Sequence, residues 1–174
     1  MTVAAEQIRV AAIYNPQNQT KAQLIEGFVV RQKVFERLFK TIKEAEMEVP
    51  EQHYLLLGRR GMGKTTLLLR LAYAIEDDPE LNTRLIPLVF NEEEYGIRRL
   101  FNFWERIMEL LAQRLPGARL GETERKQLSE AYKDDDAYER ALYDLLAEEL
   151  RRSGKKIILF VENFGEMARK LNDA

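Results

Sequence analysis

Cysteine is absent from all 174 residues. That removes any disulfide framework and any thiolate metal site, and a reducing compartment becomes the natural setting. Histidine occurs once, at His53, so a histidine-cluster metal site is excluded and a Ser-His-Asp triad would hang on that one residue. His53 stands just before an apolar run and reads as a strand-edge residue. No hydrophobic stretch approaches the roughly 20 residues that a membrane span needs. The N-terminal "MTVAAEQIRVAAIYNPQ" carries Glu6 and lacks the apolar core of a signal peptide. A soluble, cytoplasmic protein with no membrane partner is expected. Charge of one sign is scarce too: 27 Lys and Arg against 29 Asp and Glu leave a formal net charge of -2. The chain as a whole therefore has no electrostatic footprint for nucleic acid.

What is present is apolar material, 45% of the residues, enough for one domain with a sizeable core. Residues 1–27 read as a lead-in, with a turn at "YNPQNQTK". From Phe28 the residues Val34, Phe35, Leu38, Phe39, Ile42 and Ala45 recur at three-and-four spacing, which predicts a helix stopped by Pro50. "HYLLLG" (His53 to Gly58) is a short continuous apolar run with a glycine stop, which predicts a buried strand. A helix is expected from about Gly63 to Ile75, then a loop over "DDPELNT", then a strand from Arg84 to Phe90 in which Pro87 favours an edge. The stripe from Ile97 to Leu115 predicts the strongest helix, stopped at Pro116-Gly117. Helices over Glu122–Ala131 and after "DDD" (Asp134 to Asp136), and a third strand in "KIILFVENF", complete the pass. Strands alternating with helices imply a parallel sheet with helical cover.

"GRRGMGKT" (Gly58 to Thr65) fits G-x-x-x-x-G-K-[ST], placed between a predicted strand and a predicted helix. Chemistry on a polyphosphate needs a loop that wraps it closely. Gly58, Gly61 and Gly63 permit the necessary backbone angles and let peptide N–H groups face oxygens. Met62 completes the loop, Lys64 would lie against the outer phosphates and take part in catalysis, and Thr65 would offer its hydroxyl to Mg2+. Thr66 and its neighbours would aim helix N-terminal N–H groups at the same anion. Arg59 and Arg60 read as facing solvent or a partner.

Such a loop needs a carboxylate at a neighbouring strand tip, and "IILFVEN" ends in Glu162. Two registers are open. Glu162 takes the metal-side position and Asn163 that of the base, or Val161 takes the metal-side position and Glu162 is the base acting on water. The first is preferred, because a valine would leave Mg2+ without its carboxylate; since Asn163 cannot accept a proton, that register implies slow hydrolysis or a switch. The acidic "NEEEYG" reads as a solvated loop, "DDD" as an N-cap with dipole charge, and Phe101, Phe103 and Trp104 as core packing rather than base-stacking residues.

Together, "GRRGMGKTTLLLRLAYAI", "RLIPLVFNEEEYGI" and "IILFVENF" resemble AAA+-like ATPases of the origin-recognition and STAND-related kind. "FVVRQKVFERLF" resembles the lead-in of those proteins, which packs on adenine. The resemblance implies Val29, Val30 and Arg31 as adenine-side residues, with ATP and Mg2+ as cofactors. It implies an α/β fold, the P-loop NTPase three-layer α/β/α arrangement over a parallel sheet, spanning residues 28–174 with three recognisable strands. In that family the first strand lies between the fourth and fifth. No segment here reads as either, nor as the sensor strand or lid, so an incomplete domain is expected. The implied function is ATP binding and hydrolysis that drives or switches a protein partner or a homo-oligomer. The alternatives are a non-hydrolysing switch module and a small-molecule kinase.

Overall fold

The computed structural model describes residues 19–47, 53–91 and 96–173. Its chain divides into two compact units, Met1–Asp78 and Pro79–Ala174, taken in turn below. Among the described residues no helix is long and apolar enough to cross a membrane.

The first unit holds helices α1 (Lys21–Glu26), α2 (Gln32–Glu44) and α3 (Lys64–Asp77). The sequence reading did not anticipate α1, although its signal is present. Thr20 Oγ1 accepts the Gln23 N–H at 3.2 Å, and Gln23 Oε1 accepts the Thr20 N–H at 3.0 Å, which is a reciprocal capping box. The next helix begins at Gln32, not Phe28, because Arg31 is left-handed at φ 67° and breaks the helical path; extended Ala45 ends it. The expected stop at Pro50 lies outside the described residues. Phe35 stacks on Phe39 and meets Phe28 edge-on, with ring centroids 5.7 and 5.6 Å apart. Arg70 of α3 sets its guanidinium 4.5 Å from the centre of the Phe35 ring, a cation–π contact that ties the two helices. Leu67, Leu71, Ala72, Ala74 and Ile75 form the buried face of α3.

The second unit runs α4 (Pro79–Arg84), β1 (Leu85–Phe90), α5 (Leu100–Ala112), α6 (Glu122–Ala131), α7 (Asp135–Ser153), β2 (Lys156–Val161) and α8 (Phe164–Asn172). "DDPELNT", expected as a loop, contains α4: Pro79 opens that helix, where a missing N–H costs nothing. β1 and β2 pair in parallel from Leu85↔Lys156 to Phe90↔Val161. Ile86, Leu88 and Phe90 of β1, with Ile157, Leu159 and Val161 of β2, turn one face toward a core completed by Ile107, Met108 and Leu111 of α5 and Tyr138, Leu142 and Leu146 of α7. The Phe90 carbonyl accepts the Glu162 N–H at 3.2 Å, so even-numbered β1 residues direct their backbone groups at β2. Pro87, of the other parity, turns its missing N–H away from the ladder.

The expected first strand is corrected. Residues 53–59 carry no ladder pairing, and the sheet of the described residues has two strands rather than three. Tyr54, Leu55 and Leu57 are 55%, 68% and 81% exposed, and His53 is exposed with no strand edge to occupy. A strand exists through its neighbours' N–H and C=O groups. The two apolar runs that do pair, at 85–90 and 156–161, satisfy each other. The fold class itself holds: α/β with a parallel sheet, compatible with an incomplete P-loop arrangement.

Candidate functional site

In the first unit, the loop from Gly58 to Gly63 leads directly into α3. Gly61 has φ 80° and Gly63 φ 73°, left-handed values that an L side chain adopts only at a cost. A Cβ at either would meet nothing within 4 Å, so backbone conformation rather than crowding calls for glycine there. Gly63 is the N-cap of α3 and offers no side-chain cap. The first intrahelical bond is Leu67 N–H to Gly63 O at 3.1 Å. The N–H groups of Lys64, Thr65 and Thr66 precede it, in the turn where helix donors have no intrahelical acceptor and the dipole favours an anion.

Lys64 folds back over the loop: its Nζ donates to the carbonyls of Gly58 at 2.8 Å and Arg59 at 3.0 Å. The Arg59 N–H donates to Met62 Sδ at 3.2 Å. The loop is thus closed by one cation and one thioether, and among the described residues no carboxylate pairs with its ammonium. Of the residues expected on the adenine side, Val29 and Val30 are 72% and 67% exposed. Arg31 reaches the loop instead, and its Nη2 would lie 3.4 Å from a Cβ built on Gly58.

In the second unit, Glu162 follows the last β2 residue and is partly buried. Val161 packs against the β1–α5–α7 core, so period-two alternation sends Glu162 to the other face, that of Ile158 and Phe160. Asn163 is left-handed at φ 52° and its carbonyl accepts from Glu166 N–H at 2.9 Å, turning the chain into α8. Of the acidic loop 91–96, residues 92–95 lie outside the described residues. The other readings of acidic and aromatic runs are met. Asp134 Oδ1 caps α7 through Ala137 N–H at 3.0 Å. Phe103 lies against Phe90 with ring centroids 5.3 Å apart.

Sequence reasoning missed two polar clusters of this unit. Tyr138 donates its hydroxyl to Glu105 at 2.8 Å, and burial, with Glu105 second, pushes its phenol well above the ordinary range. Glu149 is 3% exposed, yet it is charged. Burial pushes its carboxyl up, and hydrogen bonds from Arg119 Nε and Arg152 Nη1, both 2.8 Å, outweigh that and hold it below the usual value. Only the Glu149–Arg152 contact is local, at three-residue helical spacing; Tyr138–Glu105 and Arg119–Glu149 join residues 33 and 30 apart, which spacing does not signal. Both tie helices and loops together rather than offering reactive groups.

Neither the comparison with curated proteins nor that with solved structures finds a match. The family model described as the AAA ATPase domain matches residues 27–170, which takes in the glycine loop, α3, both strands and Glu162, and the chain belongs to that family.

Proposed function

We propose that this chain is the Mg-ATP-binding part of a STAND-like AAA ATPase, in which nucleotide binding and hydrolysis drive or switch a protein partner. The observation that carries the reading is the loop. Gly61 and Gly63 are left-handed, Lys64 arches over the carbonyls of Gly58 and Arg59, and α3 opens without a side-chain cap. Gly58, Gly61, Met62, Gly63, Lys64, Thr65 and Thr66 hold the phosphates, and Val29 and Val30 offer an exposed apolar surface to the base. Thr65 of the first unit carries a hard oxygen of the kind that Mg2+ takes, usually only one or two beside phosphate oxygens and waters, and the strand-tip pattern of the sequence assigns Glu162 as the metal-side carboxylate. The ion supplies charge neutralisation on the transferring phosphoryl group.

Two details bear on hydrolysis. The Val161 side chain is committed to the core, which favours Glu162 as the metal-side carboxylate. Asn163 then stands where a base would, and a carboxamide cannot take a proton. A left-handed turn residue is best served by Asn or Gly, so the turn favours the very residue that weakens hydrolysis. That supports the second reading, a slow or non-hydrolysing nucleotide switch located in the cytoplasm.

Titration with a fluorescent ATP analogue tests the reading. Lys64→Ala is expected to weaken binding by about tenfold or more, since charge-assisted contacts to phosphate are the strong ones. Equal affinity in parent and variant rejects the phosphate-loop assignment. Turnover with and without added partner proteins separates the ATPase from the passive switch.

A further inference from the structure

We infer that Arg31 is a phosphate-side residue, a second cation of the nucleotide loop, rather than part of the adenine surface. The inference rests on the nucleotide-binding reading above and deepens it.

Three observations converge on this residue. Arg31 has φ 67° and ψ 22°, the left-handed region, at the N-cap of α2, with no side-chain cap hydrogen bond to reward it. A non-glycine residue held there is strained, and such strain collects at ligand clamps. The strain also redirects the side chain: Arg31 leaves the path of α2 and extends to Gly58, where Nη2 would be 3.4 Å from a Cβ on that glycine, beside Met62 Sδ and Lys64 Cδ. A Cβ at Gly58 would stand in ordinary van der Waals contact with the guanidinium, which places Arg31 at the loop. Finally, Arg31 is partly buried, and no carboxylate among the described residues pairs with it. Some other cations of this unit are engaged elsewhere: Lys21 pairs with Glu76 and Asp77, Lys43 with Asp78, and Arg70 sits on Phe35.

A partly buried guanidinium that no carboxylate among the described residues pairs with, at the same loop as Lys64, is costly in the free protein. Two like charges at one loop repel, and desolvation adds to that. An anion of several charges relieves both. Guanidinium presents a planar fork of donors that fits phosphate oxygens, and a purine offers no anionic group to do the same. The chemistry recognised is therefore the phosphate chain, shared by ATP and by inorganic triphosphate.

The experiment measures competition by ATP and by inorganic triphosphate against a fluorescent ATP analogue, for the parent, Arg31→Gln and Arg31→Gly. The expected result is a loss of about tenfold for both competitors in both variants, the size of a charge-assisted contact. Loss for ATP with triphosphate unchanged would return Arg31 to the adenine side, and no loss for either would make it a bystander; each outcome overturns the inference. Thermal melting without nucleotide guards against unfolding. Glycine is at ease at φ 67°, so Arg31→Gly should melt no lower than the parent while still binding more weakly. Lys64→Ala run in parallel keeps the two readings apart. If it leaves triphosphate binding intact, the loop is not the phosphate site and the functional proposal fails first.

Discussion

At the scale of single residues, charge and its compensation decide most of what this molecule can do. Glu149 is the clearest case. Its folded carboxyl titrates below the ordinary glutamate value because Arg119 and Arg152 outweigh its burial. A depressed folded value means the contribution is present above the unfolded value, about 4.3, and is lost as pH falls through the folded one. Melting temperature followed from pH 6 downward should therefore fall in that acid range, and Glu149→Gln should flatten that limb while melting lower at neutral pH. An unchanged acid limb in Glu149→Gln would show that other carboxylates set it. Glu162 belongs at this scale too. Glu162→Gln keeps shape and removes charge, so it should spare nucleotide binding more than Lys64→Ala does while lowering the Mg2+-dependent step. Titration of nucleotide at fixed and at zero Mg2+ reads the difference, and equal Mg2+ dependence in parent and variant would make Glu162 structural.

At the scale of elements, the ends of helices carry more information than their middles. α7 is capped by Asp134, begins with Asp135 and Asp136, ends with Arg151 and Arg152, and stops at Gly154 with φ 66°, an order that matches the helix dipole and the left-handed C-cap. Gly154→Ala should cost about 1 kcal/mol by chemical denaturation with nucleotide affinity unchanged. Gly63→Ala has the same local cause, φ 73° with open space around the missing Cβ, and should cost a similar amount, yet it should also weaken nucleotide binding because the loop's N–H groups would turn. Equal affinity in Gly63→Ala would separate the glycine's conformation from ligand binding.

At the scale of the whole molecule, burial is uneven. In the second unit, Leu111 and Leu142 are fully buried within the core that covers one sheet face. Leu111→Ala should destabilise that unit by about 2–5 kcal/mol, read as a shift in the denaturation midpoint. The apolar run Tyr54, Leu55 and Leu57 is exposed and unladdered, and extended apolar segments with free backbone groups invite association. Leu55→Lys with Leu57→Lys should reduce light scattering at high concentration without lowering the melting temperature. A drop in melting temperature would mean that those leucines are buried in solution.

Much of this was legible in the amino-acid order alone. Local signals specified α2, α3, α5, α6, α7, β1 and β2, because a helical stripe or a short β-branched run acts over a few neighbouring residues. The glycine loop was legible for the same reason: its chemistry lies within Gly58 to Thr65. Some features had no such signature. α1 rested on a side-chain cap rather than on periodicity, and α4 on a proline that opens a helix as readily as it ends one. "YLLLG" reads as a strand from within, but strand formation depends on distant backbone partners, and tertiary structure decided against it among the described residues. The same holds for the placement of Arg31 beside Gly58, for Val161 being spent on the core, and for Glu149 remaining charged while buried. Each depends on residues far apart in the chain being brought together, which spacing along a sequence does not encode.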